Sequence, residues 1–405
     1  MSKCIEIAEK PGGTGSEMIK VLFFLTHLGG GGAEMHFVRL SHELRANGVE
    51  PIFATTRGGG AYEPLLQEDV EHIVLPTGGI SSGTIRLVRS ITPLADLIDR
   101  LKPDILCPVL SLTTLPAIVA AKRARHPVQV ILSIQNALGS QLANTKQPFR
   151  SIQEFFTEQL WRDADGVIAL SQGVANEIGQ RFPALRTNIK VIYNIGKPTT
   201  DELRRAAATE IFPAPPGRMV AVACGRLTKQ KNYPAMFAAL AQIDARKRPF
   251  LRILGTGEDR TELEHLVSEL GLSDDVEFLG FRGDVLSFMG AADMFLLSSR
   301  WEGFGNVIVE AMAMETAVIS TACPHGPDEI ITNGVNGVLV PVEEPAQLAK
   351  AIEALMANDA LREQLAKAGS ERADDFNAPK IARQYAKALH DFADQKSIVG
   401  AGHAN

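Results

Sequence analysis

FLLSSRWEGFGNVIVEAMAMETAVISTACPHGPDEIITNGVNGVLVP, residues 295–341, is the stretch that decides the fold. Residues 295–298 are apolar up to a closing serine and follow Asp293, the pattern of a strand buried on both faces of a parallel sheet. Gly303 and Gly305 give a tight turn, and residues 306–314 have the types and spacing of a buried helix. Residues 317–321 form the next strand. The result is one βαβ unit whose loop lies at the carboxyl end of a strand, where open α/β sheets put their ligands.

Two carboxylates bracket the turn, Glu302 just before it and Glu310 one turn into the helix, with seven residues between them. The free amides of Gly303, Phe304, Gly305 and Asn306 aim from the helix N-terminus at any anion held there. An anion on amides, flanked by two carboxylates, suggests a ligand that is part phosphate and part polyhydroxyl, as a sugar nucleotide is. Taken singly, Glu302 reads equally as a dipole partner of the first turn and Glu310 as an exposed helical glutamate.

With 405 residues the chain has room for two ordinary domains with sizeable cores. A hydrophobic content of 45% and a charged content of 22% belong to a globular protein. No stretch approaches the roughly 20 apolar residues of a membrane span, and the first residues lack the apolar core of a secretory signal. Residues 1–200 carry 20 Lys/Arg and 18 Asp/Glu, residues 201–405 carry 21 and 29, and the net is −6. That balance excludes the strong basic excess of a nucleic-acid protein and allows a mildly basic first half to lie against an anionic membrane. Cys4, Cys107, Cys224 and Cys323 are scattered without metal-ligand spacing, so reduced thiols in a cytoplasmic protein are expected.

Residues 1–18 are polar and read as a disordered leader. Residues 21–26 form a buried strand, 27–32 (HLGGGG) the loop after it, and 33–47 a helix. Gly30 and Gly31 let a ligand approach the backbone, although a flexible turn has the same composition. His27, in this loop, is a candidate contact for sugar or acceptor, or a structural histidine. Further strands are expected at 51–55, 71–75, 104–109, 128–133, 166–170 and 190–193, with helices between. A helix over about 84–101 carries Arg86, Arg89 and Arg100 among apolar residues, a pattern of sheet-covering helices and of membrane-surface helices alike. Gln135 and Asn136 end the fifth strand, able to bond hydroxyls but not to act as a general base. Ser171 is placed to cap the helix after 166–170.

Gly196–Pro198 and the run FPAPPGR at 212–218 break regular structure around a polar helix and mark the domain boundary. The second domain opens with a strand at 219–224, then Gly225, Arg226 and, five residues on, Lys231. Two cations on a glycine turn before a helix suit a diphosphate, Arg226 as a bidentate clamp and Lys231 as a mobile point charge. A strand at 251–254 with a turn at 255–257, a loop at 276–281, and helices at 347–356, 360–369 and 379–394 follow.

The Glu–seven residues–Glu pattern of EGFGNVIVE, with EAMAMETAVIST, CPHGPDEII and NGVNGVLVP, resembles the donor half of retaining glycosyltransferases of family 4. The resemblance runs over nearly the whole chain from about residue 19 and departs at 313–316, where the family usually has a small residue and a glycine. It implies the GT-B architecture: two Rossmann-like, doubly wound parallel-sheet domains facing across a cleft, with a C-terminal helix crossing back to the first. The implied division is an acceptor-side domain at 19–200, a linker at 201–217, a donor domain at 218–376, a crossing helix at 377–395 and a disordered tail at 396–405.

The resemblance further implies that Arg226 and Lys231 hold the diphosphate, that Glu302 contacts the transferred sugar and Glu310 the ribose, and that Gly30, Gly31 and Gly225 border the donor. It places the nucleobase in the loop of Gly280 and Arg282, held through the main chain. The expected activity is transfer of a hexose or N-acetylhexosamine from a nucleoside-diphosphate sugar, a UDP-sugar, to a hydroxyl of a lipid-linked or polysaccharide acceptor. No metal or other cofactor is implied, and no nucleic-acid partner; the expected location is the cytoplasm, peripheral on the inner face of the plasma membrane. The alternative is a non-catalytic sugar-nucleotide-binding subunit that supports a partner transferase. A nicotinamide dehydrogenase lacks its glycine fingerprint and following acidic residue here. A GT-B epimerase lacks its carboxylates and histidine, and no cofactor lysine of a phosphorylase is identifiable.

Overall fold

The computed structural model describes residues 18–29, 31–78, 82–136, 157 and 159–401. Residues 1–17 of the expected leader, together with Gly30 and residues 402–405, lie outside them.

Two all-parallel sheets make up the molecule. The first contains β1 (Ile19–Leu25), β2 (Val49–Thr55), β3 (Glu71–Val74), β4 (Ile105–Pro108), β5 (Gln129–Ile134), β6 (Gly166–Ala169) and β7 (Ile189–Val191), in the order β3-β2-β1-β4-β5-β6-β7. The second contains β8 (Val220–Cys224), β9 (Phe250–Leu254), β10 (Val276–Gly280), β11 (Met294–Leu297), β12 (Ala317–Thr321) and β13 (Val338–Val340), in the order β10-β9-β8-β11-β12-β13. In each, the chain starts at the centre, winds to one edge and returns past its start, so strand order reverses beside β1 and beside β8. These switch points open a crevice at the carboxyl ends of the strands.

The apolar runs earn their place by covering both faces. In β1, Leu22 and Phe24 join one core cluster while Val21, Phe23 and Leu25 join another, the period-2 split of a strand sandwiched by helices. The last helix, Ala378–Ala401, packs Ile381, Tyr385, Leu389 and Phe392 into the core of the first domain. Tyr385 Oη donates to Ser133 Oγ at 3.0 Å, and Gln129 Nε2 donates to the carbonyl of Phe392 at 2.9 Å. Residues 396–401, expected as part of a disordered tail, continue this helix, since nothing in QKSIVGA forbids its next hydrogen bonds.

Two further expectations need correction. The helix expected over 84–101 is two helices, Gly83–Arg89 and Ile91–Leu101. Pro93 has no N–H to continue the ladder, and Ser90 Oγ turns back to the carbonyl of Leu87 at 2.7 Å. A strand not foreseen, β13, pairs with β12 after the NGVNG turn; with three residues it carries too little periodicity to declare itself.

Outside the cleft, two of the ties between the domains stand out. At the crossing, the amides of Gly196 and Lys197 both donate to the carbonyl of Phe376. There the rings of Tyr193, Phe304 and Phe376 pack within 5.2–5.7 Å of one another. At the second place, Glu329 of the donor domain accepts from the amides of Gln172 (2.7 Å) and Gly173 (2.9 Å), at the N-terminus of helix Gln172–Arg181. Ser171 caps the same helix, accepting from the Val174 amide at 3.2 Å.

Candidate active site

A cleft of about 470 Å³ lies between the carboxyl ends of the two sheets. Its donor-domain wall includes Arg226, Gln230, Lys231, Glu302, Gly303, Gly305 and Asn306, and its other wall Gly31, Glu34, Gln135, Asn136 and Asn194. A larger depression of about 880 Å³ is lined by Glu258, Asp259, Glu262 and Glu269 with Lys229 and Arg300. That excess of carboxylates disfavours an anion, and the interdomain cleft is the candidate site.

Lys231 is placed by glycine. Its stem crosses Gly225 so closely that a Cβ there would stand 2.7 Å from Lys231 Cε. Lys231 Nζ donates to Glu302 Oε1 at 2.5 Å, and Ser299 Oγ donates to the same oxygen at 2.6 Å. Ser298 Oγ fixes the carbonyl of Lys231 at 2.8 Å, and Gln230 Nε2 fixes that of Trp301 at 3.0 Å. The turn after β8 and the loop after β11 thus form one unit. Arg226 is exposed at its edge, and among the described residues no carboxylate takes it. Helix Asn306–Ala313 starts beside them with Gly305 as its N-cap at φ 102°, a left-handed geometry natural to glycine.

Across the cleft the walls touch. A Cβ on Gly303 would meet the carbonyl oxygen of Gln135 at 2.8 Å, and Asn306 Nδ2 reaches the Gly32 carbonyl at 3.5 Å. The Phe304 residue borders the cleft, but its ring is stacked on Tyr193, so only its backbone is available to a ligand.

The remaining expected residues lie elsewhere. Glu310 is not an exposed helical glutamate: burial pushes its carboxyl up, while Arg39 from the first domain pulls it down. Arg39 itself donates to Glu202 Oε1 at 2.8 Å, on the linker helix Thr200–Ala208. Arg282 is held by Asp284 at 2.6 Å and lies 5.2 Å over the Phe288 ring, and neither it nor Gly280 borders the cleft. His27 does not border the cleft; it neighbours Arg57, Arg86 and Glu63, and burial, then Arg57 and Arg86, hold its pKa down. Sequence reasoning missed Glu34, Gln230 and Asn194 as lining residues. Only Glu34 had a signal, in the Gly-Gly-Ala-Glu run at 31–34. Among the described residues no group of three or more His, Cys, Asp or Glu could hold a metal ion, and no helix is long and apolar enough to cross a membrane.

Two switch-point domains closing on a cleft with a cationic, amide-lined wall define a GT-B glycosyltransferase. Residues 30–195 match the description Glycosyltransferase Family 4 and residues 205–372 match Glycosyl transferases group 1. The chain belongs to the family 4 glycosyltransferases. It is 28% identical to the lipopolysaccharide core biosynthesis glycosyltransferase LpsE of Rhizobium meliloti, over 89% of this chain and 96% of that one. It is 28% identical to a Campylobacter jejuni N-acetylgalactosaminyltransferase acting on a diphospho-undecaprenol-linked sugar, over 60% of this chain and 65% of that one. Anabaena HepE, solved with UDP and glucose, superposes with a TM-score of 0.74 at 22% identity, covering 92% of this chain and 99% of that one.

Proposed function

We propose that the chain is a retaining transferase that moves a hexose or N-acetylhexosamine from a UDP-sugar to a hydroxyl of a lipid-linked or polysaccharide acceptor in cell-surface glycan synthesis. The observation that carries this reading is the asymmetry of the cleft: Arg226, Lys231 and the amides before Asn306 gather on one wall. As the bond from the sugar C1 to phosphate oxygen breaks, that wall neutralises the charge growing on the diphosphate, with no metal required. Both donors to Glu302 use Oε1, leaving Oε2 for a hydroxyl of the transferred sugar. Glu310 takes the ribose. The acceptor oxygen attacks C1 on the face the diphosphate leaves, and a phosphate oxygen receives the acceptor's proton. Closure of the two walls keeps water from the donor.

The acceptor and location are supported by the relatives above and by the surface of helix Gly83–Arg89. That helix exposes Ile85 and Val88 beside Arg86 and Arg89, a composition suited to the anionic inner face of the plasma membrane.

The test is thermal stabilisation by UDP, GDP, ADP and NAD in parallel, with and without added Mg²⁺. A shift with UDP that needs no metal and disappears in Arg226→Ala is the expected result. A shift with NAD alone sinks the reading. UDP binding in a protein that transfers no sugar from any UDP-sugar points instead to a non-catalytic subunit.

A further inference from the structure

Pro324, His325 and Gly326 make the turn between β12 and the short helix Pro327–Ile330, in the stretch CPHGPDEII, and none of them borders the cleft. The turn nevertheless backs the loop that carries the cleft's amides. The Glu302 amide donates to the Pro324 carbonyl at 3.3 Å. Gly326, at φ 104°, lies so close against Phe304 that a Cβ there would strike the Phe304 carbonyl oxygen.

His325 sits in this turn at φ 66°, a left-handed backbone that costs a side chain free energy and that glycine takes without strain. A histidine in such a place is held there by its surroundings, and these belong to the other domain. Its ring lies on Gly173, in the first turn of helix Gln172–Arg181, where an added Cβ would strike His325 Nδ1. One turn along that helix, Glu177 Oε2 stands 3.6 Å from His325 Nε2, too far for a hydrogen bond and close enough for attraction. The two side chains are 21% and 23% exposed, so water screens the contact only in part. Four residues after His325, Glu329 accepts from the first amides of the same helix. The segment therefore grips the first domain on one side and supports the Glu302–Gly305 loop on the other.

We propose that His325, pressed on Gly173 and facing Glu177, is a positioning residue through which the first domain sets the amide loop of the second, so that a diphosphate is held at full strength only when the domains are together. The inference rests on the transferase reading, which puts the diphosphate on those amides. By linkage, a loop set by closure tightens on its anion, and the anion favours closure to the same extent.

The probe is UDP, titrated by calorimetry into the full-length protein, with thermal melting and solution scattering on the same samples. His325→Gly removes the ring and relieves the backbone. Its melting temperature should equal or exceed that of wild type, while UDP affinity falls about fivefold, the size of one partly buried ion pair. Gly173→Ala favours the helix but pushes the ring away, and should likewise keep stability and lose about fivefold in affinity. The double variant should lie within about twofold of either single one, because both break one contact. Glu177→Gln, which alters no backbone, should lose about twofold and reads the contact should Gly173→Ala fail to fold. UDP should contract wild type more than His325→Gly in scattering. Wild-type affinity in both His325→Gly and Gly173→Ala overturns the proposal. So does an affinity loss that follows a falling melting temperature, or losses that multiply in the double variant. A wild type that binds no UDP sinks the transferase reading instead, and is seen before any variant is compared.

Discussion

Lys231 and Glu302 form a nearly dry ion pair, 2.5 Å from Nζ to Oε1, with 13% and 8% of their side chains exposed. Each is held for the other: the cation offsets the negative charge of a buried carboxylate, and the carboxylate aims the cation. Removing one leaves the other charged and stranded. Lys231→Met is expected to lose about 3 kcal/mol of stability in urea denaturation and about 100-fold or more in kcat/KM. A variant with full stability and full activity would mean that the pair is ornamental.

Gly225 tests the same pair without touching a charge. Alanine there puts its Cβ 2.7 Å from Lys231 Cε, so the lysine stem must move. Gly225→Ala should weaken UDP binding about tenfold, measured by calorimetry, while the melting temperature falls by only a few degrees. Retention of wild-type affinity would show that Lys231 reaches the diphosphate by another route.

His36 makes stability fall on the acid side. Burial holds its pKa down at about 3, and its Nδ1 accepts the Ile195 amide at 2.9 Å, so it stays neutral when folded. The unfolded chain takes up this proton near its ordinary value of about 6.5, and folding is then penalised by roughly 1.4 kcal/mol per pH unit below it. Urea denaturation at pH 7 and pH 5 should show a loss of about 2 kcal/mol from this group. His36→Asn, which keeps an acceptor for Ile195, should remove that share of the slope.

Glu310 has the opposite sign. Its folded pKa is raised, first by burial, so its contribution is favourable below the unfolded pKa and is lost as pH rises through the folded one. Glu310→Gln should therefore melt higher than wild type at pH 7–8, by about 2 °C, with the gain shrinking toward pH 4. The same variant should bind UDP more weakly if the carboxylate serves the ribose. A uniform offset across pH would show that its charge is not the source.

Glu329 caps a helix of the other domain, a contact that must open with the cleft. Glu329→Ala should cost about 1–2 kcal/mol, as loss of a helix cap does, and enlarge the radius of gyration in solution scattering. An unchanged radius with reduced stability would restrict Glu329 to a capping role.

Much of this was legible in the chain. The apolar run Phe295–Leu297, the alternation of strands and helices, and Ser171 before its helix are local signals, and local signals survive folding. Arg226 and Lys231 sit five residues apart, so one turn carries both. The first-domain wall was legible only in part: Gln135 and Asn136 stood out at the end of a strand, whereas Glu34 and Asn194 lie about 100 and 60 residues from Gln135 and reach the cleft only through the parallel sheet. Glu310 also reads as an exposed glutamate on helical spacing alone; its charged surroundings include Arg39 of the first domain, which periodicity cannot see. Ser90 broke a helix that Pro93 should have warned of, because the hydrophobic period ran through it unbroken.

The crossing helix carries a consequence for how the chain is made. Tyr385, Leu389 and Phe392 complete the core of a domain whose first strand begins at Ile19. A nascent chain that has already exposed all seven strands of that domain still lacks one side of its interior until the donor domain has been synthesised. The first domain out of the ribosome is thus the last to be finished, and its unfilled apolar groove is open to wrong partners in the meantime. For this architecture, a stalled or truncated product loses both halves of the cleft, not one.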